Sequence, residues 1–191
     1  IVLIELVSNY LNDIPSYLFM RNSDKFADGD YLVRTKLNKA WKQASRVILG
    51  GEVGELDDFE NFLTRYRQSI TSYISKLSGK IVRTLDIYSK DASMIGYNEV
   101  DSLANMPPVS INEIKDIDSL RNAVEERFTY IGGGLLGNTR FVAGSTNINN
   151  SYYVQNSINI FNSKYVAYSS YSDRTSYIFG SNDANGVNFS I

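Results

Sequence analysis

From Thr139 to Ile191 the sequence repeats every six residues, and no other feature of the chain constrains its folding as tightly. In register the hexads read TRFVAG, STNINN, SYYVQN, SINIFN, SKYVAY, SSYSDR, TSYIFG, SNDANG and VNFSI. Position one is Thr139, Ser145, Ser151, Ser157, Ser163, Ser169, Thr175 and Ser181, hydroxyl residues throughout until Val187 breaks the run. Position four is Val142, Ile148, Val154, Ile160, Val166, Ser172, Ile178 and Ala184, mostly β-branched. Position six is rich in Asn and Gly: Gly144, Asn150, Asn156, Asn162, Gly180 and Gly186. A short fixed period of this kind implies coils that stack on one another, since one repeat alone cannot close a core.

Each column has a physical reading. Asn and Gly tolerate left-handed backbone and suit the corners of a coil. A β-branched residue in mid-repeat suits a short strand with that side chain buried. Hydroxyls stacked at one level can bond one another or nearby backbone along the ladder. With coils about 4.8 Å apart, every column becomes a line of like residues. Three hexads per turn would form a triangular prism of about three turns, which a cap, another chain or more sequence should complete. Tyr153, Tyr165, Tyr171 and Tyr177 share position three and are expected to line one surface.

Over these 53 residues the pattern resembles the hexapeptide-repeat β-solenoids. Their left-handed members set a small residue four places after the buried aliphatic. Here the hydroxyl stands three places away, which leaves handedness and the number of faces open. Enzymes of that shape are acyltransferases with a catalytic histidine or carbonic anhydrases with histidine metal ligands. This chain has no histidine, so the resemblance implies an architecture and no active site.

The first two-thirds obey different rules. Sixteen of the 19 Lys and Arg residues and 19 of the 21 acids lie before residue 133. Ile1 to Ile14 can form a helix with Leu3, Val7, Tyr10, Leu11 and Ile14 on one side, stopped by Pro15. After a polar connector, Asp30 is expected to cap a helix carrying Leu32, Leu37, Trp41, Ala44 and Ile48, ending at Gly50-Gly51. Leu56, Phe59, Leu63, Tyr66, Ile70, Tyr73 and Leu77 alternate spacings of three and four, and Ile81, Leu85 and Tyr88 continue the stripe. A helix from about 55 to 88 would be roughly 50 Å long and would call for a helical partner. Residues 90 to 109 read as irregular, punctuated by Pro107-Pro108. Ser110 with Glu113, or Asp118, offers the start of a fourth helix reaching about Tyr130, ended by Gly132-Gly133-Gly134.

The expected fold class is therefore α+β. An α-helical docking domain of about four helices, one of them long, spans 1–131. A Gly-rich junction spans 132–138, and a hexad-repeat β-solenoid spans 139–191. The chain opens without Met and stops five residues into a repeat, which reads as a segment of a longer polypeptide.

Composition excludes several chemistries. Without Cys or His there is no disulfide, thiolate site, Ser-His-Asp triad or histidine-ligated zinc within the chain. A net charge of −2 gives no basic footprint for nucleic acid. No apolar run reaches the roughly 18 residues of a membrane span. Gly132, Gly134 and Gly137 satisfy G-x-G-x-x-G, but they lead into Ser/Asn-rich strands rather than a helix, so a flexible junction is the better reading. Asp24, Asp28 and Asp30 lack the spacing of a calcium loop. Asp57 and Asp58 suit the positive end of a helix. Asp173 and Asp183, the only acids in the repeats, stand in different columns and read as solvent-facing rather than catalytic.

No catalytic, cofactor-binding or metal residue is assigned. The expected function is a non-enzymatic structural component of a large assembly, docked through Leu63, Tyr66, Ile70, Tyr73 and Leu77, with the solenoid as rigid spacer or cement. Expected partners are other protein subunits, copies of itself included, with no nucleic acid and no membrane span. The composition looks like that of minor capsid or fibre proteins of large DNA viruses or phages, which would place the chain in a virion; otherwise it would be soluble and intracellular. The alternatives are a glycan-cleaving or acyl-transferring solenoid enzyme with catalytic residues elsewhere, and a soluble helical adaptor.

Overall fold

The computed structural model describes residues 28–191, except 86, 87, 89–91, 106, 109, 111, 113, 126 and 127. The helix expected at 1–14 lies outside the described residues. The fold is α+β: helices concentrated toward the N-terminus, then a parallel β-solenoid of about five turns.

The solenoid is a two-sided stack. After β5 (Leu135–Leu136) come nine short strands, one per hexad: β6 (Arg140–Ala143), β7 (Thr146–Asn149), β8 (Tyr152–Gln155), β9 (Ile158–Phe161), β10 (Lys164–Ala167), β11 (Ser170–Asp173), β12 (Ser176–Phe179), β13 (Asn182–Asn185) and β14 (Asn188–Ser190). They form two parallel sheets, ordered β14-β12-β10-β8-β6 and β13-β11-β9-β7-β5. Val154 pairs with Val166, and Val166 with Ile178. The true rung is thus twelve residues, two hexads, and the expected triangular prism is overturned. Residues six apart face each other across the coil, whereas residues twelve apart stack.

Between the sheets lie the position-four side chains Ile148, Val154, Ile160, Val166, Ile178 and Ala184. The position-one hydroxyls line the two inner edges. Five of them are both donor and acceptor of backbone bonds: Ser157 Oγ donates to the Gln155 carbonyl (2.8 Å) and accepts from the Ser169 amide (3.1 Å). The same pair of bonds recurs at Ser145, Ser151, Ser163 and Ser169. In this way the corner amides, which no strand partner reaches, are satisfied inside the coil.

The turns come from left-handed backbone at positions three and six. Fourteen non-glycine residues of the solenoid have positive φ, among them Tyr153 (57°), Tyr165 (57°) and Asn162 (48°). Each such residue costs on the order of 1 kcal/mol. Ring stacking offsets part of this cost: Phe141, Tyr153, Tyr165, Tyr177 and Phe189 form one continuous ladder with centroids 4.7–5.2 Å apart, worth about 0.5–1.5 kcal/mol per pair.

Helix α1 (Asp28–Leu49) lies on the β6–β14 sheet and touches all five of its strands. Asp30 sits inside this helix rather than capping it. The buried stripe is Val33, Leu37, Ala40, Trp41 and Ala44, while Leu32 and Ile48 are exposed. Trp41 anchors the contact. Its indole N–H donates to the Gly54 carbonyl (2.9 Å), and its ring meets Phe59 and Phe179 at 5.2 and 5.4 Å.

The long helix expected over 55–88 does not form. A 3-10 turn (Leu56–Phe59) leads into the short helix α2 (Glu60–Leu63), followed by an antiparallel hairpin of β1 (Ile70–Ile74) and β2 (Ile81–Leu85). The β-branched content of ITSYI and IVRTL favours strands. Ser75 and Gly79 close the turn, where Gly79 has φ +70° and donates to the Ser75 carbonyl (3.0 Å). β3 (Met94–Gly96) pairs in parallel with β4 (Tyr130–Gly132), with α3 (Ile117–Glu125) between them in sequence. Asp118 lies within α3, whose start is secured by the Asp116 carboxylate accepting from the Ser119 amide. Gly132 therefore ends a strand and Gly133 and Gly134 follow it, in place of the helix end anticipated. Gly132 is wedged where a Cβ would strike Val82.

Two serines test this account with opposite signs. Ser157→Ala leaves the buried Ser169 amide without an acceptor and should cost about 1–3 kcal/mol. Ser172, in the apolar column, has a buried Oγ with no partner, so Ser172→Ala should be neutral or stabilising by about 1 kcal/mol. Urea denaturation midpoints compare the two, with exposed Asn182→Ala as the reference.

Candidate functional site

A concavity lies where four parts of the chain meet: the first turns of α1, the 3-10 turn with α2, the hairpin and the solenoid. It is a cleft of about 510 Å³. Asp30 and Arg34 come from α1, Asp57 and Glu60 from the 3-10 turn and α2, and Ser72 and Arg83 from the hairpin. Arg67 approaches from the segment between them. The floor is solenoid: Ala143, Gly144, Gln155, Asn156 and Tyr168. A smaller cleft of about 350 Å³ adjoins it and shares Arg34, Asp57 and Gln155.

The cleft exists because the floor is small. Gly144 (φ +60°) has Asn156 Oδ1 where a Cβ would go, so a larger residue is refused. Gly180 (φ +71°) similarly lets Leu63 of α2 approach, with the Leu63 Cα 3.1 Å from where a Cβ would stand. The Gly180–Leu63 contact sets how close α2 and the coil can come.

A polar chain crosses the cleft wall. Gln155 Nε2 donates to the Tyr168 hydroxyl (3.3 Å), which donates to Asp57 Oδ1 (3.1 Å). Asp57 is also paired with Arg34. Tyr168 is 1% exposed, and burial pushes its phenol up to about 12, with the Glu60 charge adding to the effect. Arg67 Nη1 donates to the Asn156 carbonyl (2.9 Å). Burial pushes its guanidinium below the usual value, against the pull of Glu60. Beside the cleft, the Lys42 and Asn38 hydrogen bonds hold Glu55 below the ordinary carboxylate range.

The five proposed interface residues do not share a helical face. Leu63 is buried in α2, Ile70 and Tyr73 belong to β1, and Leu77 lies in the hairpin turn. Tyr73 donates to the Tyr88 carbonyl (3.2 Å). Only Tyr66 (69%) and Leu77 (44%) are freely exposed. The solenoid columns are where position one and position four require them: Ser145, Ser151, Ser157, Ser163, Ser169 and Thr175 bond backbone or one another, and Val154, Ile160 and Val166 fill the core. The tyrosines divide between two faces. Tyr153, Tyr165 and Tyr177 pack beneath α1, while Tyr171 projects from the opposite sheet.

Among the acids, Asp58 accepts from the Glu55 amide (2.9 Å) and secures the 3-10 turn rather than a long helix. Asp173 is bonded to Asn162 and Arg174, and Asp183 is exposed. Asp24 lies outside the described residues, and among those described no three acids gather to hold a metal. The G-x-G-x-x-G glycines open no helix. No described helix is long and apolar enough to cross a membrane. Gln155 and Arg67 carried no signal in the sequence, because Gln155 sits in a column of mixed residues and Arg67 in a mixed-charge segment.

No protein-family model, curated protein or solved structure matches the chain.

The Tyr168 phenol gives a pH test. Its proton is held in the fold to about pH 12 but leaves an unfolded chain near pH 10. The folded state then binds more protons across that window, so stability falls as pH rises through it. Tyr168→Phe should flatten this part of the stability profile relative to the parent, read from denaturation midpoints between about pH 9 and 12.

Proposed function

We propose that the chain is a non-enzymatic structural component of a large assembly, in which the solenoid serves as a rigid spacer or cement. The observation that carries this reading is the internal use of the repeat's own chemistry. Its serine hydroxyls, the most abundant reactive groups in the stack, are spent on backbone donors and acceptors of neighbouring rungs. A stack closed in this way resists bending without a large core. The helix-plus-hairpin region supplies the docking surface: Phe62 (55%), Tyr66 (69%), Ile74 (60%) and Leu77 (44%) are large, exposed and close in sequence. Exposed apolar groups of this density suit protein contact. By analogy of composition and architecture, the assembly is a virion and the chain a minor capsid or fibre protein.

The docking element in this reading is the hairpin side of the chain, not a long helix. Tyr66→Asp with Leu77→Asp should leave the denaturation midpoint within about 0.5 kcal/mol of the parent and remove the full-length protein from its fast-sedimenting particle. A parent protein that sediments as a lone monomer in extracts of its source contradicts the proposal. Asp173→Asn with Asp183→Asn should change no glycan turnover; a large drop would favour the enzyme reading instead.

A further inference from the structure

The end of the β1–β2 hairpin is apolar where folding does not require it. Successive strand residues face opposite ways, and Val82 and Thr84 on the inner face are buried. Ile74 and Ile81 are Cα partners on the outer face, where they are 60% and 43% exposed. Leu77 joins them from the turn, and residues 76–81 are exposed without a break. Three aliphatic side chains held out at the tip of a ribbon add nothing to the core. Exposed apolar groups gathered in this way mark contact with a protein or a membrane.

Charge says what lies opposite. Residues 61–85 hold Arg65, Arg67, Lys76, Lys80 and Arg83 and no Asp or Glu, in a chain whose net charge is −2. Lys76 and Lys80 stand on either side of Leu77, and both are exposed. Glu99 meets the turn from outside this segment, its carboxylate accepting from Ser75 Oγ and the Gly96 amide (both 2.6 Å). With that one acid counted, the hairpin stays net positive, and an anionic surface is its complement.

A bilayer with acidic headgroups answers both the charge and the apolar tip. Its acyl chains close around a convex tip of any shape, whereas an acidic protein needs a hollow fitted to these three side chains. Lysine stems lie along apolar surface and keep their ammonium groups at the level of the headgroups, where acidic lipids attract them. Nucleic acid supplies the charge without an apolar bed for Ile74, Leu77 and Ile81.

We propose that the hairpin tip docks on an anionic membrane surface, with Ile74, Leu77 and Ile81 dipping below the headgroups and Lys76 and Lys80 meeting lipid phosphates. The tip rests on the membrane and does not span it. This goes beyond the assembly reading and holds whether or not the chain is built into a particle.

The full chain is mixed with vesicles of phosphatidylcholine alone, and of equal parts phosphatidylcholine and phosphatidylserine, and bound protein is read by flotation. It should float with the anionic vesicles, not with the neutral ones, and should be released at about 1 M salt, where screening is nearly complete. Lys76→Gln and Lys80→Gln should each weaken binding by about fivefold, the effect of one cation at such a surface. Ile74→Ser with Leu77→Ser should weaken it by about tenfold or more while keeping the parent's urea midpoint. In Leu77→Trp the new indole emission should move to the blue on anionic vesicles; Trp41, 1% exposed, gives the parent no such shift. If the serine pair unfolds, the indole decides. Failure to float with anionic vesicles, full affinity in the serine pair or an unmoved indole overturns the proposal. Equal affinity for polyglutamate or for single-stranded DNA overturns it too, in favour of an acidic protein or a nucleic acid.

Discussion

The bond that a backbone amide donates to the serine hydroxyl twelve residues before it is the interaction on which the rest of the structure depends. In an ordinary sheet the ladder ends at the strand, and corner amides turn to solvent or to long loops. Here the chain bends every three residues, and strands of only four leave many amides at corners. Ser151, Ser157 and Ser163 each accept one of these while donating to a carbonyl two residues back. The coil can therefore turn tightly without orphaned backbone. Left-handed residues at every bend add strain, which the pairing and the stacked rings together outweigh.

The twelve-residue rung then dictates the faces. One sheet shows aromatic rings at position three and, apart from Gln155, small or apolar residues at position five, a surface on which the apolar stripe of α1 can lie. The other shows Asn147, Asn159, Tyr171 and Asp183 and stays largely polar. Trp41, Leu56 and Leu63 close over the covered sheet. The cleft appears where Ala143 and Gly144 provide too little volume to fill the space beneath Arg34 and Glu60. Shape and cleft thus follow from one register.

Much of this was legible in the sequence, and the failures have physical causes. The stack was evident from positions one and four, because both repeat every six residues on either sheet. Those same columns are blind to how many hexads make a turn. Position three carried the missing information: Phe141, Asn147, Tyr153, Asn159 and Tyr165 alternate aromatic with polar, a twelve-residue period. Tyr171 interrupts the alternation, because it makes Tyr165, Tyr171 and Tyr177 three successive aromatic residues in the column. The supposed long helix failed because apolar residues at three- and four-residue spacings also fit a helix end followed by a hairpin. Ile70, Thr71, Ile74, Ile81, Val82 and Thr84, with Gly79 between them, carried the stronger strand signal. Gln155 and Arg67 gain meaning only from burial, which no local pattern in the sequence encodes.

The number of hexads per rung can be measured directly, since a chain without cysteine accepts an engineered pair cleanly. Lys164 and Ser176 are Cα partners on adjacent strands of one sheet, within the roughly 4.4–6.8 Å that a disulfide spans. Lys164→Cys with Ser176→Cys should oxidise to an intramolecular disulfide in the folded protein, while Lys164→Cys with Asn182→Cys should remain two thiols. A disulfide between positions eighteen residues apart, with none between positions twelve apart, would restore the three-hexad coil and contradict this account.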